Sequence, residues 1–260
     1  MALPDFLLVG APKSGTTALH VALARHPEIG MSRVKEPKYF LADGPPPSGG
    51  GPGDAKTYSE YVWRREDYEA LWDQAEPGQL LGESTTLYLA DSQAHRRIYD
   101  TVPGAKLVAV LRDPVDRAHS NWSHLRSAGL EPVDDFPRAC MLGDRRVSDG
   151  WGPFWNYLEL GRYGSQLAHL YSVFPPDQVL LLMYREIREH PAETLDRVRV
   201  SRRPNGCRFR ASVRKRHSTR QRRVIEQDAL EICAKRRARR PGDDASAPRP
   251  PVAGREGTAA

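Results

Sequence analysis

Long apolar runs are missing from this sequence. No stretch approaches the roughly 20 consecutive apolar residues of a membrane helix, so no spanning helix is expected. Cysteine is scarce: Cys140, Cys207 and Cys233 are the whole complement. They are widely spaced and form no CxxC pair, which argues against both a zinc site and a disulfide scaffold. No HExxH, paired carboxylate cluster or Cys/His set is present either, and no metal is expected. The chain enters the apolar stretch Phe6–Val9 without a basic leader or cleavage site, so no signal peptide is expected. A reducing cytoplasm is the expected location. No internal repeat is present.

What is there suits one α/β domain with additions, or at most two small domains, in 260 residues. Hydrophobic residues make up 39% and charged residues 28%, ordinary for a soluble chain with a flexible part. The net charge of +6 is unevenly placed, because Arg and Lys crowd into residues 199–240. Such a run is read first as a solvated or disordered segment and second as a polyanion-binding arm. Residues 241–260, rich in Pro, Ala and Gly, are expected to be a disordered tail. Residues 1–198 are then the folded domain.

Strand-like and helix-like stretches alternate. Phe6–Val9 is a short buried strand ending at Gly10. Thr16–Arg25 carries Leu19, Ala22 and Leu23 on one helical face and stops at His26-Pro27. Leu80–Glu83, Lys106–Leu111 and Gln178–Tyr184 read as further strands, and Gly161–Phe174 as a helix. Asp113-Pro114 starts a helix with Asp at the N-cap and Pro in the first turn, and His190–Glu193 begins another. This alternation predicts a parallel sheet with helices on both faces and ligands at the strand ends. Asp43–Ala55 is Gly/Pro-rich and is expected to be a flexible loop.

Gly10–Thr17 (GAPKSGTT) joins the first strand to the first helix. Backbone N–H groups at the helix start, with the helix dipole, make an anion site there. Gly15 permits close approach of a phosphate, Lys13 adds a charge, and Ser14, Thr16 and Thr17 add hydroxyls. The pattern is P-loop-like but differs from GxxxxGK[ST], because Lys13 precedes Gly15 and Thr16 stands where that motif has Lys. The strand Lys106–Leu111 runs into Arg112 rather than an acidic magnesium anchor. A nucleotide kinase is therefore the weaker reading.

FLLVGAPKSGTTAL resembles the 5′-phosphosulfate loop of sulfotransferases that use 3′-phosphoadenosine 5′-phosphosulfate (PAPS). LVAVLRDPVDRAHSNW resembles the same family's 3′-phosphate site. The resemblance covers about residues 5–198 and is closest to the heparan-type carbohydrate enzymes and their bacterial relatives. It extends to GRYGSQLAHLYSVFPPDQVLLLMYREIREHPAETLDRV. It implies the α/β sulfotransferase fold, PAPS as donor, and 3′,5′-adenosine bisphosphate (PAP) as product. It also assigns the 3′-phosphate to Arg112 and Ser120. Arg112 lies before a helix and Ser120 about two turns into it, so both can face one dianion.

The resemblance further implies that Glu36, three residues before Tyr39-Phe40, is the catalytic base. A hydroxyl attacking sulfur must lose a proton, and Lys35 and Lys38 flank this carboxylate. Lys13 would stabilise charge on the departing bridging oxygen. Related enzymes often carry Lys after the Glu of the second motif, whereas Ser84 follows Glu83 here. Ser84, Thr85 and Thr86 are open to two readings, an acceptor-site wall or a buried strand end. His20, His119 and His124 are read as packing or surface residues. After Val198 the family's apolar segment and closing loop are not recognisable. Either Arg214–His217 supplies that loop or the C-terminal part is divergent, including by a shift in the coding frame. The expected acceptor is a small molecule, glycan or lipid bearing a hydroxyl or amine, and no nucleic-acid partner is expected. The alternative to an enzyme is a nucleotide- or polyanion-binding protein that keeps the loops.

Overall fold

In the computed structural model the described residues are 2–198, with the backbone of 200–203 and 206–209. The sheet has five parallel strands: β1 (Phe6–Gly10), β2 (Ile29–Met31), β3 (Leu80–Ser84), β4 (Lys106–Leu111) and β5 (Val179–Met183). Their order is β2-β3-β1-β4-β5, which makes β1 central. Strands β1 and β4 are buried along their whole length, as strands covered on both faces must be.

Alternate residues serve two cores. Leu7, Val9, Leu107, Ala109 and Leu111 face one cluster, with Ala94 and Ile98 of helix Ser92–Thr101 and Leu170 of helix Tyr163–Val173. Phe6, Leu8, Val108 and Val110 face the other, with Leu19 and Leu23 of α1 (Thr16–Leu23) and Val198 of helix Pro191–Val198. The α/β sheet with helices on both faces, expected from sequence, is the observed architecture.

A third cluster stands beside the sheet. It joins Ala118 and Leu125 of α2 (Pro114–Ser127) to Ala139, Cys140, Trp155 and Tyr157. At its centre Arg146 donates to both carboxylate oxygens of Glu131, at 2.6 and 2.7 Å, and both side chains are almost fully buried. The Arg146 guanidinium also lies over the rings of Trp151 and Trp155, 5.0 and 5.3 Å from their centroids. Burial pushes the Glu131 carboxyl up, but hydrogen bonds from Arg146, Tyr157 and the Val133 N–H outweigh it and hold it below the usual range.

One expectation needs correction. The Gly/Pro-rich stretch Asp43–Ala55 is not loop throughout, because a helix begins at Asp54 (Asp54–Ser59). The Asp54 carboxylate is buried and accepts from the N–H groups of Gly51 (2.6 Å) and Gly152 (2.7 Å) and from the Trp155 indole (2.9 Å). These bonds fasten the far end of the stretch to the third cluster.

The backbone of Val200–Arg203 pairs antiparallel with Gly206–Phe209. The expected basic segment and tail otherwise lie outside the described residues, and so does Arg214–His217. No helix among the described residues is long and apolar enough to cross a membrane.

Candidate active site

The loop after β1 turns the chain into α1 through unusual backbone. Lys13 has φ 63° and Gly15 φ 86°, both left-handed. Only glycine adopts that conformation without steric cost, and a Cβ on Gly15 would also lie 2.8 Å from a Tyr184 ring carbon. Gly15 is the N-cap of α1, so no side chain caps the helix, and its first turn holds no acidic residue. The first N–H groups of α1 therefore keep their hydrogen-bonding capacity for an anion.

Cations converge on the same place. Arg112 follows β4, where the Asp113 carboxylate caps α2 by accepting from the Val115 and Asp116 N–H groups, both at 2.9 Å. Arg112 donates through Nη1 to the Lys13 carbonyl at 3.1 Å, and its guanidinium lies 4.9 Å from the Tyr184 ring centroid. Its buried Nε has no protein partner. The Lys13 ammonium is held below its ordinary pKa by burial first, and then by the charges of Arg112 and Lys35. An incoming anion would relieve that crowding, so the pocket fits a phosphate ester.

Glu36 also sits in left-handed backbone, with φ 62°, as does Lys38. Such conformations cost roughly 1–3 kcal/mol each and persist only when their surroundings impose them. Here the Glu36 N–H donates to the Ser84 carbonyl at 2.8 Å, and the Lys38 N–H to Thr85 Oγ1 at 3.1 Å. The Glu36 carboxylate accepts from the Thr86 N–H and the Thr86 hydroxyl, each at 3.0 Å, and from Lys35 Nζ at 2.9 Å.

The β3 end thus resolves into different roles. Thr86 lines the cavity and holds Glu36, whereas Ser84 and Thr85, buried like it, are not in the lining. Ser84 Oγ lies 2.9 Å from His20 Nδ1. Glu83 is fully buried, and burial pushes its carboxyl up to about 7. Hydrogen bonds from Tyr68 and Thr85 oppose that rise.

One cavity of about 570 Å³ gathers most of the expected residues. Lys13, Gly15, Thr16, Thr17, Glu36 and Arg112 all line it. Two do not. Ser14 is fully buried behind the loop, its hydroxyl beside that of Tyr163 but without the geometry of a hydrogen bond. Ser120 is half-buried on α2, outside the lining.

The expectation for the histidines divides. His20 bonds Ser84, and His119 packs against Trp122 and Phe136. His124 is exposed, as a surface histidine is, and also lines the cavity, its pKa lowered by partial burial and then by the Lys13 charge. Tyr184 is a further lining residue the sequence did not single out. It directly follows β5, and strand ends of a parallel sheet face the ligand crevice, so its position was the available signal. No group of three or more His, Cys, Asp or Glu that could hold a metal occurs among the described residues.

Comparison with known proteins places this geometry. A sulfotransferase-domain family model matches residues 80–199. The human bifunctional heparan sulfate N-deacetylase/N-sulfotransferase 3 is 30% identical over 210 residues, covering 75% of this chain and 22% of that protein. The human heparan sulfate glucosamine 3-O-sulfotransferase 6 is 29% identical over 198 residues, covering 75% of this chain and 51% of that protein. This chain therefore spans about a fifth of one of these curated relatives and about half of the other. The crystal structure of a sulfotransferase from Alicyclobacillus acidocaldarius superposes with a TM-score of 0.72 at 31% identity, over 75% of this chain and 79% of that one. Likeness at that identity across most of both chains reaches past the fold: this chain belongs to the sulfotransferase family.

Proposed function

We propose that this chain transfers a sulfuryl group from PAPS to an acceptor hydroxyl or amine on a carbohydrate, glycolipid or natural product, releasing PAP. The observation that carries this reading is one cavity lined by the Glu36 carboxylate, the Lys13 ammonium and the uncapped start of α1. PAPS supplies a sulfuryl group already activated by its phosphate leaving group.

The chain's own residues divide the remaining work. The N–H groups and hydroxyls of Thr16 and Thr17 hold the 5′-phosphate. Lys13 stabilises the negative charge that builds on the leaving oxygen. Arg112 holds the 3′-phosphate, and Ser120 is assigned to it on family resemblance and helical spacing. Ser14 supports the loop from its buried position.

Glu36 acts as general base. A carboxylate offers about four acceptor positions, and Thr86 and Lys35 occupy three of them. Oε2 carries only one of these bonds, so it has room to accept a proton from the attacking hydroxyl. Thr86 fixes the direction of that lone pair. Positioning and charge stabilisation together account for such a transfer, as they do for phosphoryl transfer.

Titration calorimetry with PAP and transfer of label from radiolabelled PAPS to a panel of acceptors test the reading. Binding of PAP with sulfation of at least one acceptor is expected. Failure of the full-length protein to bind PAP would refute it.

A further inference from the structure

Resting on the donor reading above, we infer that the acceptor is an uncharged alcohol or phenol with an apolar body, rather than a polyanionic glycan. The cavity lining has two unlike parts. Lys13, Arg112 and the start of α1 make one of them cationic. The same lining carries the apolar side chains of Pro52, Leu87, Leu125, Leu130, Phe154 and Trp155. Leu87 follows Thr86 directly, so this apolar wall begins at the residue that orients the proposed base.

Charge bookkeeping points the same way. Lys35 is paired with Glu36 at 2.9 Å. Lys38 is buried, directed to Glu60 at 3.5 Å and to the Tyr61 ring at 5.5 Å. Lys13 and Arg112 lie together at the donor end. Among the described lining residues this leaves no unpaired Lys or Arg outside the donor end, and the Asp54 carboxylate is buried and already bonded to Gly51, Gly152 and Trp155. A sulfated or uronate-bearing chain approaching Glu36 would find each lysine described there already compensated by a carboxylate, so its own charges would be desolvated without gaining a new partner. An apolar body gains by leaving water against the same wall.

The wall is also held in place. Asp54 fastens the Gly/Pro-rich stretch to Trp155, and a Cβ on Gly53 would lie 3.0 Å from Leu130. Pro52 and Leu130 therefore form a fixed corner rather than a loose flap.

The test compares uncharged apolar acceptors (2-naphthol and 1-decanol) with an N-sulfated heparosan hexasaccharide, using radiolabelled PAPS and the full chain. The expected result is a kcat/KM for at least one apolar alcohol at least ~10-fold above that for the hexasaccharide. Leu130→Lys should raise the KM for that alcohol ~10-fold or more, with PAP affinity within about twofold. Phe154→Ala should do the same by a smaller factor, which keeps the test open if the charged variant folds poorly. Preference for the hexasaccharide, or PAP binding with no sulfation of either alcohol, overturns the inference while leaving the donor reading intact. Loss of PAP binding by the unmodified chain would instead overturn the donor reading and the inference with it.

Discussion

Glu36 and Thr86 are joined twice: the Thr86 N–H and the Thr86 hydroxyl both donate to the Glu36 carboxylate at 3.0 Å. The two residues come from different loops, one after β2 and one after β3. Their union fixes a carboxylate across the mouth of the phosphate loop. For the proposed base, this orientation is in place before any substrate arrives, which would lower the reorganisation needed at the moment of reaction.

Removing the proposed base should separate binding from chemistry. Glu36→Gln is expected to leave PAP affinity within about twofold and to cut turnover ~100-fold or more, the usual range for a lost general base. Calorimetry and the transfer assay measure the two quantities independently. Unchanged turnover would reject Glu36 as the base.

Gly15 is constrained by both backbone and space. Gly15→Ala should cost about 1 kcal/mol for the left-handed conformation, and more for the contact with the Tyr184 ring. PAP affinity is expected to fall ~10-fold or more. Adding Tyr184→Ala relieves the contact but not the backbone, so affinity should stay below that of the unmodified chain. An unchanged dissociation constant for Gly15→Ala would contradict this account of the loop.

The Glu131–Arg146 pair supports the third cluster, which contributes Trp155 to the cavity lining. Arg146→Met leaves a buried carboxylate without its cation, a change that typically costs roughly 3–5 kcal/mol. Denaturant unfolding should show this loss, and the double variant Glu131→Gln/Arg146→Met should recover part of it. A double variant no more stable than the single one would argue against the pairing.

His95 sets a pH dependence. It is buried against His169, with the two Nδ1 atoms 2.9 Å apart, and burial followed by the His169 charge lowers its pKa to about 4. In the unfolded chain it titrates near 6.5. Between those values the unfolded chain binds more protons, so stability falls as pH drops from about 6.5 towards 4, by up to roughly 3 kcal/mol. Urea midpoints at pH 7 and pH 5 measure the slope, and His95→Gln should flatten it.

The sequence exposes what is local and leaves hidden what is made by distant pairs. Strand β4 was readable because five consecutive residues, Leu107–Leu111, are apolar and the run is bounded by Gly104 and Asp113. Residues 10–17 were readable because strand, glycine and helix start lie side by side in the chain. Strand β2 was not, since three residues carry no period. Asp54 looked like one more polar residue in a Gly/Pro stretch, because its partners Gly152 and Trp155 stand far along the chain. The cavity place of His124 was hidden for the same reason: one helical histidine looks alike whether it faces a pocket or a neighbour.

The bare start of α1 has a consequence beyond catalysis. With Gly15 as its N-cap, the helix draws no hydrogen bond from a capping side chain. A nucleotide phosphate seated there would accept bonds that only the folded chain can donate. Folding and donor supply are then coupled by mass action, and a ligand at 100 times its dissociation constant adds about 2.7 kcal/mol to stability. The folded population of this protein would thereby register how much activated sulfate its surroundings hold, and a melting temperature that climbs with PAP concentration is the signature to seek.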